Sequence, residues 1–435
     1  MPLNIFRQWQ DCRPAIPIKV IMSTQASFTS SQPTLHLMEF VALMALMTSL
    51  VALSIDAMLP ALIQIGHELH AQDINDAHLI VSVFFGGMAF GQIFFGPFSD
   101  ARGRRAAILL GLCIFVVGTV VCMMANDMTT MLIGRLIQAF GVSGPRIAAM
   151  AIIRDLYVGE AMAKVMSFIM MVFILVPMIA PVVGQAVLTF FSWRHIFTLF
   201  LVVAVLTGAW FFARQPETLP KANRKTFSWA QFFRSSKFIL THGSVMGYTI
   251  AMGCIFGSFL AYLSASQTIF QEYYSAGVMF PYIFATLAFS IGLASFFNSK
   301  MVMRFGMSRL CQFALTGAIS FAVIFNAILW AYEGLPPLPL TVTVLFIGFF
   351  FVGILFGNLN AMAMQPLGHI AGLGAAIIGS LSSIFAVPIA LVVDSFLSGN
   401  LFPIGLGFLC FYIIAFLAVR FAEHSRLLEE SVAIG

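Results

Sequence analysis

Charge is what this chain has least of. Asp, Glu, Lys and Arg make up 9% of its 435 residues, while 60% are hydrophobic. That balance excludes a soluble globular domain and places most of the chain in a lipid bilayer. The net charge of +5 is no nucleic-acid signature, because the cations are spread over short links between apolar runs. The six cysteines show neither metal-ligand spacing nor a disulfide framework. No nucleophile elbow, phosphate loop or metal triad occurs, and Gly141-Val142-Ser143-Gly144 is not a G-x-S-x-G turn. A cofactor is not expected, and an enzyme has no constellation to work with. A cleavable signal peptide is not expected either, since residues 1–35 are polar and lack an h-region. Met22 is an alternative start. No Asn-x-Ser/Thr sequon is present, which agrees with a bacterial origin.

What the chain has is long apolar runs. Twelve of them are each about as long as a helix that crosses a bilayer. They span 38–59, 78–97, 106–125, 128–152, 162–188, 194–213, 241–265, 277–297, 308–331, 339–362, 369–394 and 400–421. With alternating crossings, all of the 22 Lys and Arg fall on one side except Arg194 on the other side and Arg135 and Arg146 within spans. Cations accumulate in cytoplasmic loops, so both termini are expected in the cytoplasm. The longest polar link, 214–240, is basic and separates six spans from six. The expected organisation is a cytoplasmic segment 1–37, a six-helix bundle 38–213, the linker 214–240, a second bundle 241–421 and a tail 422–435. Gly87 and Gly91, and Gly353 and Gly357, sit at the spacing that lets helices pack closely in lipid.

One link stands out. Gly96-Pro97-Phe98-Ser99-Asp100-Ala101-Arg102-Gly103-Arg104-Arg105 joins spans two and three with room only for a tight turn, and two glycines permit the reversal. It resembles the signature loop of the major facilitator superfamily, G-x-x-x-D-x-x-G-R-R/K, through Gly96, Asp100, Gly103, Arg104 and Arg105. That resemblance implies an all-α membrane protein with twelve transmembrane helices in two pseudo-symmetric six-helix bundles. The link Phe297–Gly306 in the second half is a partial echo, basic but without a match for Asp100.

Within the spans, ionisable groups are few and therefore informative. Asp56 lies near the outer end of the first span. It is read either as a carboxylate that loads and unloads a proton or as an interfacial cap. Arg135 opens Arg135-Leu136-Ile137-Gln138-Ala139-Phe140-Gly141, which resembles the family's R-x-x-Q-G-x-G with Ala139 in place of a glycine. The family sets helices 1 and 4 side by side, which implies an Asp56–Arg135 pair, either in competition with a proton or as a static tie. Arg146, eleven residues on and on nearly the same helix face, is either a grip for polar or anionic substrate groups or an arginine satisfied by the carbonyl that Pro145 frees. Arg146, Gln138 and Tyr262 are the expected cavity residues.

Further segments resemble the bicyclomycin-resistance (Bcr/CflA) branch of drug exporters. They are Ile153-Arg154-Asp155-Leu156-Tyr157, Ser192–Phe197, Pro216–Leu219 and Ala261–Ala265. The resemblance to the superfamily implies that Arg104 pairs with Asp155. It also implies that Asp100 faces the start of helix 11 near Gly368 and His369, latching the cytoplasmic gate. Val176–Gln185 resembles the antiporter motif through Pro177, Pro181 and Gly184, although Ala180 and Gln185 replace glycines. The alternative is a packing kink. His67, His70 and His78 share a loop with Glu68, Asp73 and Asp76. His67-Glu68-Leu69-His70 is one residue short of H-E-x-x-H, so a solvated loop is expected and no metal.

The expected function is proton-coupled efflux of small amphipathic molecules or drugs across a bacterial inner membrane, by a monomer whose partners are its substrate, protons and lipid. A transporter of a specific metabolite, such as a siderophore or amino acid, is the alternative. A membrane enzyme or sensor is a third reading, disfavoured by the lack of a catalytic set or soluble domain.

Overall fold

The structure is a computed structural model and describes residues 35–71, 74–157, 159–224 and 229–434. Fourteen α-helices occur among the described residues. They are α1 Leu37–Asp56, α2 Leu62–Glu68, α3 Leu79–Arg102, α4 Arg104–Met123, α5 Met128–Leu156, α6 Gly159–Phe190, α7 Arg194–Arg214, α8 Trp229–Thr241, α9 Gly243–Gln267, α10 Phe280–Phe305, α11 Met307–Ala331, α12 Leu338–Met364, α13 Ala371–Ser395 and α14 Phe402–Ile434. Each of the twelve expected spans coincides with one of them. Eleven are long and apolar enough to cross a membrane, and α6 carries a shorter apolar stretch, Leu175–Phe190. The two remaining helices are short. α2 prolongs the first span past Pro60 through a 3-10 turn, and α8 lies in the central linker. α14 runs on to Ile434 where a tail was expected from residue 422.

The helices form two six-membered lobes. In the first, α5 packs on α3 and α4, α6 on α1, and α7 on α4. In the second, α9 packs on α13 and α14, and α12 on α10 and α11. The lobes meet along two seams, α3 against α13 and α6 against α10. Each seam joins the second spanning helix of one lobe to the fifth of the other, so exchanging the lobes exchanges the seams. Large apolar side chains such as Val117, Phe313 and Trp330 remain exposed on the outer surface, which suits contact with lipid.

Lipid tails are as apolar as leucine, so close packing rather than burial holds such helices together. Gly87 and Gly91 lie where α3 meets α5: an added Cβ would come within 2.7 Å of the Leu136 carbonyl oxygen and 2.6 Å of that of Phe140. Gly353 similarly abuts the backbone of Ile291 on α10. The internal echo extends to the backbone. Gly103 and Gly306 both turn the chain between the second and third spanning helices of a lobe, with φ of 104° and 79°. That conformation is open to glycine and strained for other residues.

Candidate functional site

The signature loop lies on the face that carries most of the cations, called here the basic face; the opposite one is the far face. At the basic face Arg104 is buried at 7% exposure and gathers three partners. Its Nε donates to Asp155 Oδ2 at 2.9 Å, and its Nη1 donates to Asp100 Oδ1 at 2.5 Å and to Ser99 Oγ at 3.0 Å. Thr218 Oγ1 donates to the same Asp155 oxygen at 2.9 Å. Asp100 is thus engaged by its own loop. The side chains of Gly368 and His369 lie outside the described residues, so the expected contact there is not described.

Glu217 is the part of this cluster that sequence reasoning left without a role. Its carboxylate accepts from the backbone N–H of Arg104 at 2.9 Å and of Arg105 at 3.1 Å. These are the first N–H groups of α4, which have no partner within the helix and favour a negative charge. A Cβ on Gly103 would collide with Glu217. Arg105 Nη2 donates to the Phe212 carbonyl at 3.0 Å, binding the loop to the end of α7. Gly96 lies on the seam, and a Cβ there would sit 3.5 Å from Ala376 of α13.

Arg135 is fully buried in the far-face half of the first lobe. Its Nη1 donates to the Ser54 carbonyl at 3.1 Å and to Gln138 Oε1 at 2.6 Å, its Nε donates to the Ile80 carbonyl at 3.3 Å, and its guanidinium lies 4.2 Å from the Phe84 ring centroid. The expected Asp56–Arg135 ion pair is not formed in this conformation. Neutral carbonyl and amide oxygens satisfy the cation instead, and Nη2 is left without a hydrogen-bond partner. Asp56 is 5% exposed and makes no hydrogen bond or ion pair among the described residues. The two groups share a depth all the same, since Arg135 holds the carbonyl two residues before Asp56.

The expected cavity residues separate. Gln138 is fully buried and bridges Arg135 and Thr119, donating to Thr119 Oγ1 at 2.8 Å, so it belongs to the interior of the lobe rather than to a cavity wall. Tyr262 is 1% exposed with its ring 4.6 Å from that of Phe349 and its hydroxyl without a partner, again an interior position. Both corrections have one cause: helical packing turns these positions toward their own lobe, which a linear motif does not report. Arg146 differs. It is only partly buried, and its sole polar contact among the described residues is Nη1 with Met88 Sδ at 3.3 Å. The carbonyl freed by Pro145 does not satisfy it.

In α6, Pro177 is partly buried and Pro181 buried. Gly184, one turn from Pro181, meets the backbone of Ala57, the residue after Asp56; any side chain would strike the Ala57 carbonyl. The antiporter-like segment therefore packs directly against the acid-bearing end of α1.

A second buried acid, Asp394, was missed. It is 3% exposed near the end of α13. Ser264 Oγ donates to its Oδ2 at 2.7 Å, and His78 Nδ1 lies 3.7 Å from the same oxygen. His78 was expected in a solvated loop but is 2% exposed, with Nε2 3.1 Å from Thr268 Oγ1. It starts the helical run into α3, and the lobe contact buries it. The signal for Asp394 was available: it is the only acid in its span, the argument that singled out Asp56.

Polar contacts between the lobes are unevenly placed. Near the far face Ile63 N–H donates to Gln267 Oε1 at 3.0 Å, Gln267 Nε2 donates to the Pro60 carbonyl, and His78 meets Thr268 and Asp394. Midway along the seam Ser380 Oγ donates to the Ala89 carbonyl at 2.8 Å. No hydrogen bond or ion pair joins the lobes at the basic face among the described residues. The structure is thus a two-lobed helical membrane carrier fastened at one face.

Comparison with known proteins agrees with that architecture. The family model described as Major Facilitator Superfamily matches residues 44–390. A bicyclomycin resistance protein homolog from Haemophilus influenzae is 31% identical over 345 residues, covering 78% of this chain and 85% of the relative. The multidrug resistance protein MdtL of Klebsiella pneumoniae is 31% identical over 172 residues, covering 40% of this chain and 44% of the relative. Among solved structures, the xylose transporter XylE from E. coli in a partially occluded inward-open conformation aligns with a TM-score of 0.66 at 14% identity, covering 88% of this chain and 96% of that one. A peptide transporter, POT, aligns with a TM-score of 0.70 at 14% identity over 91% of this chain and 97% of that one. The chain belongs to the major facilitator superfamily, in its bicyclomycin-resistance branch. It is a transporter and not an enzyme.

Proposed function

We propose that the chain exports small amphipathic molecules, drugs among them, in exchange for protons, with the basic face in the cytoplasm of a bacterium and the chain working as a monomer. The carrying observation is Asp56: a carboxylate at 5% exposure with no hydrogen bond or ion pair among the described residues. An ionised acid in such a place is costly, whereas a protonated one is tolerated. Nearby, Arg135 keeps Nη2 without an acceptor. Loss of the Asp56 proton would leave a carboxylate with a cation at its own depth, and gain of the proton would release it. Gly184 against Ala57 gives α6 a direct mechanical link to that event.

In this reading the lobes alternate about their two seams. The conformation described, fastened at the far face, is the one open toward the cytoplasm. The drug-resistance names carried by relatives favour amphipathic cargo. A screen of dyes and antibiotics in vesicles, with and without an imposed pH gradient, tests the proposal. Movement that follows the gradient supports it, and movement indifferent to the gradient refutes proton exchange.

A second reading rests on Arg146. A partly buried guanidinium with only a thioether contact is suited to an anionic group on a specific metabolite. If Arg146→Ala abolishes movement of an anionic substrate and spares neutral and cationic ones, the cargo is of that class.

A further inference from the structure

We propose that His78 and Asp394 form a proton-operated clasp between the lobes, which acid in the far-face solution closes. His78 stands at the start of α3 in the first lobe, and Asp394 near the end of α13 in the second, so their 3.7 Å separation exists only while the far face is shut. The site is built for a charged pair. Asp394 Oδ2 takes the Ser264 hydroxyl at 2.7 Å, whereas Oδ1 is buried with no hydrogen-bond partner. A carboxyl group in that condition requires either a proton of its own or a neighbouring cation, so the closed pair holds one proton between its two members. His78 supplies the cation when doubly protonated, with Nδ1–H toward Asp394 and Nε2–H donating to Thr268 Oγ1 at 3.1 Å. Histidine is the side-chain type that ordinarily changes charge near neutral pH.

Among the described residues, these other charged and titratable groups surround it. Asp76 lies on the same turn as His78. α2 brings His67 and Glu68, and Glu68 is held by Trp193 Nε1 at 2.7 Å and Arg194 Nη1 at 3.2 Å. The extension of α9 brings Glu272 and Tyr273, and α5 brings Arg135, whose Nε reaches the Ile80 carbonyl at 3.3 Å. α13 carries no ionisable side chain other than Asp394 from residue 373 to its end.

The proton balance is simple. Shutting the far face takes one proton from the far-face solution into the His78–Asp394 pair, and opening returns it to the same side. The clasp therefore moves no net charge across the membrane. It sets how readily an empty, outward-facing carrier closes, and it does not need Asp56 to be the transported-proton site. The direction follows from that uptake: the clasp is made at low pH and lost as pH rises.

The test uses the full chain with its cysteines replaced, in lipid nanodiscs, with spin labels at Gln64→Cys and Ser398→Cys, both exposed at the far face on opposite lobes. The short-distance population is expected to grow as pH falls from 8 to 5.5. That response disappears in His78→Gln and in Asp394→Asn, and persists in Asp56→Asn. A response that survives either clasp substitution overturns the proposal, as does its loss in Asp56→Asn or its absence in the unsubstituted chain. If a clasp variant does not fold, Thr268→Val removes only the Nε2 acceptor and is expected to move the midpoint to lower pH; an unmoved midpoint overturns the proposal.

Discussion

The two faces of this transporter carry similar polar chemistry and use it differently. At the basic face, Arg104, Asp155, Asp100 and Glu217 tie a loop to helix ends of its own lobe and to the linker that follows. At the far face, His78, Asp394, Gln267 and Pro60 tie one lobe to the other. The first cluster keeps a lobe rigid whichever way the molecule faces. The second joins the lobes and would have to break for the far face to open. An ionic cluster next to a gate is therefore not by that fact a gate; which lobes its members belong to decides.

Substitutions can break or sharpen that contrast. The largest effect is expected from Asp56→Asn, which removes the proposed exchangeable proton while keeping the side chain's size. Transport driven by a pH gradient in vesicles falls to background, and binding of substrate to purified protein persists. Arg135→Ala should follow. It strips partners from the buried oxygens of Ser54, Ile80 and Gln138, a loss of about 3 kcal/mol at the cost of unsatisfied acceptors. The measurement is thermal unfolding in detergent, and Arg135→Lys is expected to recover part of the loss.

At the basic face the expected effects are smaller and lie on stability. Arg104→Ala is expected to cost about 1–3 kcal/mol by leaving Asp155 with fewer partners. Glu217→Gln leaves one acceptor oxygen for the two N–H groups at the α4 start and removes the charge, a loss of about 1 kcal/mol. If either changes the far-face distance distribution, the division between lobe-internal and lobe-joining clusters is wrong. The smallest effect belongs to Asp127, the exposed N-cap of α5. The Thr130 hydroxyl and backbone N–H, at 2.7 and 2.8 Å, hold its carboxyl below the usual carboxylate range. A lowered acid contributes stability above its unfolded pKa and loses it as pH falls through the lowered one. Asp127→Ala should thus lower the melting temperature slightly at neutral pH and not at strongly acidic pH.

The spans were legible because a bilayer forces a long apolar run wherever the chain crosses it. The signature loop was legible because its chemistry is local: residues four or five apart meet in one turn, and Arg104 with Asp100 does so here. The lobe interior was not. Gln138 and Tyr262 have the residue types of a cavity wall, and only the rotation of α5 and α9 against their neighbours shows that they face inward. His78 read as loop because its sequence neighbours are polar, while the partner that buries it sits in the other lobe. The absent Asp56–Arg135 pair illustrates a further limit. Motifs bring residues to one depth but do not specify which protonation state, and hence which bond, a conformation displays.

Which face lies in the cell decides the direction of every step above. Single cysteines at Arg102 and Ser398, both exposed and on opposite faces, can be offered a membrane-impermeant maleimide in intact bacteria carrying the otherwise cysteine-free chain. The account predicts labelling at Ser398→Cys, with Arg102→Cys labelled only after the cells are broken. Labelling of Arg102→Cys in intact cells would contradict it.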